Sequence, residues 1–182
     1  INFHAKSCKG DCMQLMGGEK LIVSEGGNNF DKSFVWTKTG YSVIVFMKIQ
    51  FFFKNAGKQV WSEAEKQAFV SSWKSDVTTK WSTASLTKTS DGKNIGLSFR
   101  LQTQIGGWMW DHWEITVAKR VKSFETSSVT DFIVNNSRLD DGDVILTGKA
   151  YGQKQRASVH EFGHMLGLSD EYLPSSPHKE DY

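Results

Sequence analysis

Two histidines, a glutamate, a glycine and an aspartate stand near the C-terminus at spacings that can support hydrolysis. The stretch reads His160-Glu161-Phe162-Gly163-His164-Met165-Leu166-Gly167-Leu168-Ser169-Asp170. Histidines four apart on a helix lie one turn above each other on the same face, so both imidazoles can reach one metal ion. Glu161 follows the first histidine beside that face, close enough to take a proton from a metal-bound water. Gly167 lacks a Cβ, so it can adopt a left-handed turn and stop the helix three residues after His164. The chain can then fold back and deliver Asp170 as a third, oxygen ligand. Three protein ligands leave one position of a tetrahedral Zn²⁺ open for water, the arrangement of a catalytic site.

The stretch HEFGHMLGLSDEY resembles the extended metzincin signature H-E-x-x-H-x-x-G-x-x-H/D. It has the form with Asp as third ligand, as in snapalysin-like bacterial peptidases. It is also similar to metallopeptidase domains that serve bacteria as toxin or effector modules, in which D-E-Y closes the motif. The resemblance implies that His160, His164 and Asp170 are ligands of Zn²⁺ and that Glu161 is the general base. It implies an α+β fold: a twisted mixed sheet backed by a long helix, with the zinc-binding helix near the C-terminus. The sequence-specific match spans residues 160–172. One departure stands out, because metzincins carry a methionine-containing turn beneath the zinc. Residues 171–182 hold no methionine, and Met165 lies inside the zinc helix itself. The floor of the site is therefore expected to be completed by missing chain or built another way.

The activity implied is that of a zinc-dependent endopeptidase acting on protein or peptide, secreted or delivered outside a bacterial producing cell. A toxin reading also predicts an inhibitory immunity protein or propeptide that plugs the cleft. Two rivals remain open. One is hydrolysis of a peptidoglycan cross-bridge, which is also an amide; the other is a non-catalytic module in which zinc is structural. A structural site would have a fourth protein ligand, for which His178 is the candidate, whereas a catalytic site would have water. Glu171 is an alternative ligand or acceptor beside Asp170, and Tyr172 is either an oxyanion donor or a packing residue.

Composition sets the frame for this chemistry. At 182 residues, with seven Trp and twelve Phe, the chain is long enough for one domain with a substantial core. A net charge of +2, from 22 basic and 20 acidic residues, gives no electrostatic footprint for nucleic acid. No apolar run reaches the length of a membrane span. The start at Ile1 shows neither an initiator Met nor a signal-peptide pattern, so a mature product or a piece of something longer is expected. Cys8 and Cys12 flank a Lys-Gly-Asp turn and read equally as a small disulfide loop or as two free thiols.

The elements that must position the site follow from pattern. Residues 1–40 are assigned to an N-terminal extension or loop-rich segment, with a candidate strand at Leu21-Ile22-Val23; the resemblance implies that residues 41–182 are the metallopeptidase domain. From Tyr41 to Lys54 the chain is β-branched and aromatic and reads as a long buried strand. Ser62 and Glu65 form a capping box, and Phe69, Trp73, Val77 and Trp81 follow at four-residue steps, which predicts a helix from Ser62 to Trp81. Strands are expected at 95–105 and 113–121, the first with Ile95, Leu97, Phe99 and Leu101 on one face. Two more are expected at 132–134 and 144–146, and the resemblance to metzincins implies that Val144 to Thr147 is the sheet edge that receives substrate. Asp140-Asp141-Gly142-Asp143 reads as a turn rather than a Ca²⁺ loop. His112, among Trp108, Trp110 and Trp113, reads as structural. The zinc helix is expected from about Gln153, with Val159, Phe162, Met165 and Leu166 facing the domain.

Overall fold

The computed structural model describes residues 19–83, 86–88, 94–108, 111–120, 128–130, 135–148 and 154–168. In chain order the elements are β1 (Lys20–Glu25), β2 (Asp31–Thr37), β3 (Gly40–Lys54), α1 (Glu63–Trp81), β4 (Leu86–Lys88) and β5 (Asn94–Ile105). They continue with β6 (Trp113–Ala118), β7 (Ser128–Thr130), β8 (Asn136–Asp140), β9 (Thr147–Gly148), β10 (Lys154–Gln155) and α2 (Ala157–Met165). The fold is α+β, with a mixed eight-stranded sheet and, among the described residues, two helices.

Strand β3 is the spine of that sheet. Along one edge it pairs in parallel with β5, residues 41–51 against 95–105. Its other edge is shared: β2 runs antiparallel along 40–46, and β6 runs parallel along 49–54. Beyond β6 lie β8, parallel to it, and then β7, antiparallel to β8. Between Ile105 and Trp113 the chain must therefore pass from one edge of β3 to the other. The buried amide of Gln50 secures this passage by donating to the carbonyls of Gly106 (3.1 Å) and Gly107 (2.6 Å). Lys48 secures it too, since its N–H donates to His112 Nδ1 at 2.9 Å and its carbonyl accepts from His112 N. His112 is thus built into the sheet.

Alternation along β3 decides where the core lies. Val45, Met47, Ile49 and Phe51 point to one face and are buried against Phe69, Val70, Trp73 and Val77 of α1. Phe51 meets Trp73 edge-on at a centroid distance of 5.3 Å. Each such buried side chain contributes about 1.5–3 kcal/mol by its removal from water. Helix α1 begins where the capping box places it. Ser62 Oγ accepts from Glu65 N at 3.3 Å, and Glu65 Oε2 accepts from Ser62 N at 2.8 Å. On the opposite face of the sheet Val35 and Ile44 are also fully buried, and Arg100 pairs with Glu19 at 2.6 Å.

Several elements differ from the sequence reading. The strand expected at Leu21-Ile22-Val23 lies within β1, but the sequence reading lacks β2, which joins β1 to β3 in the sheet and meets β3 through a tight turn at 38–39. The polar stretch after Ser82 contains β4, paired antiparallel with β5. Strand β6 ends at Ala118, and α2 starts at Ala157, preceded by the short β10.

The expected edge strand at Val144 to Thr147 is not part of the main sheet: residues 141–145 form turns, and among the described residues Thr147–Gly148 pairs only with Lys154–Gln155. The acidic cluster is the reason. Asp143 Oδ2 accepts from Asp140 N at 2.7 Å, Asp140 Oδ1 from Gly142 N at 2.6 Å, and Gly142 O from Ile145 N at 2.8 Å. These bonds fold the backbone into turns just ahead of the expected strand and take up Ile145 N, one of the groups that strand would offer to a neighbour. Among the described residues, the strand that ends the main sheet beside α2 is β7. The expected strand at 132–134 lies outside the described residues.

Candidate metal centre

Helix α2 carries the two histidines, and its surroundings fix how it lies. Phe162 and Met165 are buried in the domain core, with Val159 and Leu166 packed at its margin. Phe162 touches Trp73, Trp81 and Phe99 at centroid distances of 5.8, 6.3 and 5.6 Å. At its N-terminus α2 has no side-chain cap. Ser158 N donates instead to Asp143 O at 3.1 Å, and Arg156 pairs with Asp76 of α1 at 3.2 Å. Trp81, in the last turn of α1, donates from Nε1 to Val159 O at 3.1 Å. Its ring lies so close to Gly163 that an added Cβ would sit 3.0 Å from Cζ2. Gly163 therefore permits the close approach of the two helices.

This anchoring leaves His160 and His164 half-buried with their rings at 90° and centroids 4.8 Å apart. Their Nε2 atoms converge to 3.2 Å. Two nitrogens bound to one tetrahedral Zn²⁺ at about 2.05 Å stand about 3.3 Å apart, so the observed spacing fits a shared metal ion. Glu161, between the two histidines in sequence, is buried.

The C-terminal end of α2 closes as a Schellman motif. Gly167 has φ +89°, Leu168 N donates to Gly163 O at 3.1 Å, and Gly167 N donates to His164 O at 2.8 Å. The turn brings Leu168 O within 2.9 Å of His164 Nδ1.

The structure thus brings His160, Glu161 and His164 together on one short helix. Asp170 lies outside the described residues, as do Glu171, Tyr172, His178, His4, Trp110, Cys8 and Cys12. Among the described residues no group of three His, Cys, Asp or Glu side chains is gathered as a metal would need. No described helix is long and apolar enough to cross a membrane. Two contacts escaped the sequence reading. In the sequence Trp81 reads only as the last residue of a packing stripe, yet it also holds the Val159 carbonyl. A glycine inside a helix, Gly163, was the available signal of close approach. The Leu168 carbonyl is backbone, and no residue type announces it.

Burial also acts on charge at the opposite end of β6. Desolvation holds His112 below its ordinary value of 6.5, outweighing the nearby Asp31 carboxylate at 3.5 Å. Burial raises the neighbouring Asp111 above its ordinary value. His112 serves the crossover, and both residues lie apart in sequence from the histidine helix.

Comparison with protein-family models, with curated proteins and with solved structures returns no match to this chain.

Proposed function

We propose that the chain is a zinc-dependent endopeptidase of metzincin-like character. The observation that carries this reading is the convergence of His160 Nε2 and His164 Nε2 to 3.2 Å, the spacing of two ligands on one tetrahedral ion. Asp170 is the proposed third ligand, supplied from beyond the Gly167 turn. A mixed sheet backed by a long helix, with the histidine helix packed against that helix, supports the likeness to metzincins.

Zn²⁺ bound there would polarise a scissile carbonyl and lower the pKa of water from about 15.7 toward 7. Glu161 accepts the proton of the attacking water and returns it to the leaving amine, so that amide nitrogen departs neutral. His160 and His164 would hold the metal through Nε2. Strand β7, paired among the described residues only with β8, offers an edge on which an extended peptide can add as a further strand. Export from a bacterial producing cell as an effector or toxin, with an immunity protein or propeptide as inhibitor, rests on the motif's resemblance and belongs to the same proposal.

The test is a peptide-library digest with matched metal analysis. The parent chain is expected to bind one zinc and to cleave, with loss of cleavage on chelation. Glu161→Ala is expected to lower cleavage by about 10²–10⁴-fold while zinc stays bound. Unchanged cleavage in that variant would sink the peptidase reading. Stoichiometric zinc without cleavage in the parent would favour a structural metal.

A further inference from the structure

We infer that the Schellman turn at Gly167–Leu168 is a positioning device for His164, setting which imidazole nitrogen faces the metal. The inference rests on the zinc reading of the site. A backbone carbonyl can only accept a hydrogen bond, so the 2.9 Å contact between Leu168 O and His164 Nδ1 requires the proton to sit on Nδ1. The lone pair is then left on Nε2, the atom that converges on His160 Nε2. The ring orientation and the ligating nitrogen are therefore chosen together, before any metal arrives.

The same turn fixes Leu168 from two sides. Its N–H is tied to Gly163 O, and its side chain packs over Gly163, with Cδ1 3.7 Å from where a Cβ would stand. Its carbonyl direction is thus set by the residue one turn back, which itself abuts Trp81. Gly167 is the hinge of this arrangement. At φ +89° a residue with Cβ is strained, and the carbonyl swings away from the imidazole when that angle relaxes. Helix termination and ligand orientation are one piece of backbone geometry.

The experiment uses the full chain with Gly167→Ala and Gly167→Asn, the latter because Asn tolerates left-handed backbone. Long-range ¹H–¹⁵N NMR of the metal-free protein reads the His164 tautomer, chelator competition gives the Zn²⁺ Kd, and Co²⁺ absorption reports the geometry of the site. The parent is expected to hold His164 as the Nδ1–H tautomer. Gly167→Ala is expected to lose that tautomer, to weaken zinc by about 10–100-fold and to distort the Co²⁺ spectrum. Gly167→Asn is expected to restore all three. A merely structural turn would lower the melting temperature of Gly167→Ala without moving the tautomer or the Kd of the folded protein, and that result would overturn the inference. An Nε2–H tautomer in the parent would overturn it as well. A parent with the Nδ1–H tautomer that binds no zinc would instead overturn the reading of the site on which the inference stands.

Discussion

Helices α1 and α2 lie against each other, but the means that hold them differ. Helix α1 spans 19 residues and carries its own start signal, the reciprocal bonds of Ser62 and Glu65, followed by a stripe of buried side chains. Helix α2 spans nine residues, has no side-chain cap, and falls below the length of about 12–15 residues at which an isolated helix is even marginal. Its N-terminal end is tied by groups distant in sequence, Asp143 O, Asp76 and the Trp81 indole, and its C-terminal end by the adjacent turn at Gly167. The long helix is specified where it stands, and the short one is specified by what surrounds it. A pair of imidazoles on such a helix is only as well placed as those remote contacts.

Substitutions put that contrast to the test. The largest effect is expected from Phe162→Ala, which removes the ring wedged between Trp73, Trp81 and Phe99. A loss of about 3–5 kcal/mol in urea unfolding is expected, accompanied by weaker zinc binding. Equal zinc affinity in the folded fraction would show that α2 needs less support than its length implies. Next comes Ser62→Ala, which deletes the cap of α1. It is expected to cost about 1 kcal/mol in the same assay and to leave the zinc Kd unchanged, because α1 is anchored by its stripe.

The smallest effect concerns neither helix and serves as a control on the sheet. Burial depresses His112 in the folded state, so as pH falls below 6.5 the unfolded chain takes up the proton first and stability declines. Asp31, Asp111 and Lys48 are the charged groups that act on it. His112→Gln, which can still accept from Lys48 N, is expected to flatten the fall in urea midpoint between about pH 7.5 and 5.5.

What the sequence made legible follows the same division. Strand β3 and helix α1 announce themselves because their inward positions are uniformly apolar and α1 has a cap. Strands β2 and β8 stay hidden because a serine occupies an inward position in each, Ser33 and Ser137, both buried, which erases the alternation. Val144-Ile145-Leu146 misleads in the opposite way. The run is apolar, but the aspartates before it bind the backbone into turns and leave Ile145 and Leu146 exposed. At the candidate site, the spacing of His160, Glu161 and His164 was readable as chemistry. The orientation of His164 was not, since it depends on a carbonyl and a glycine angle.

The shared edge of β3 bears on how the chain tolerates trimming. Among the described residues, 40–46 of this strand are paired on that side by β2 alone. Truncation ahead of residue 38 removes more than a tail, for it bares a row of amide and carbonyl groups on the central strand. Such a row is a template for another chain, so shortened versions would trade solubility for intermolecular pairing.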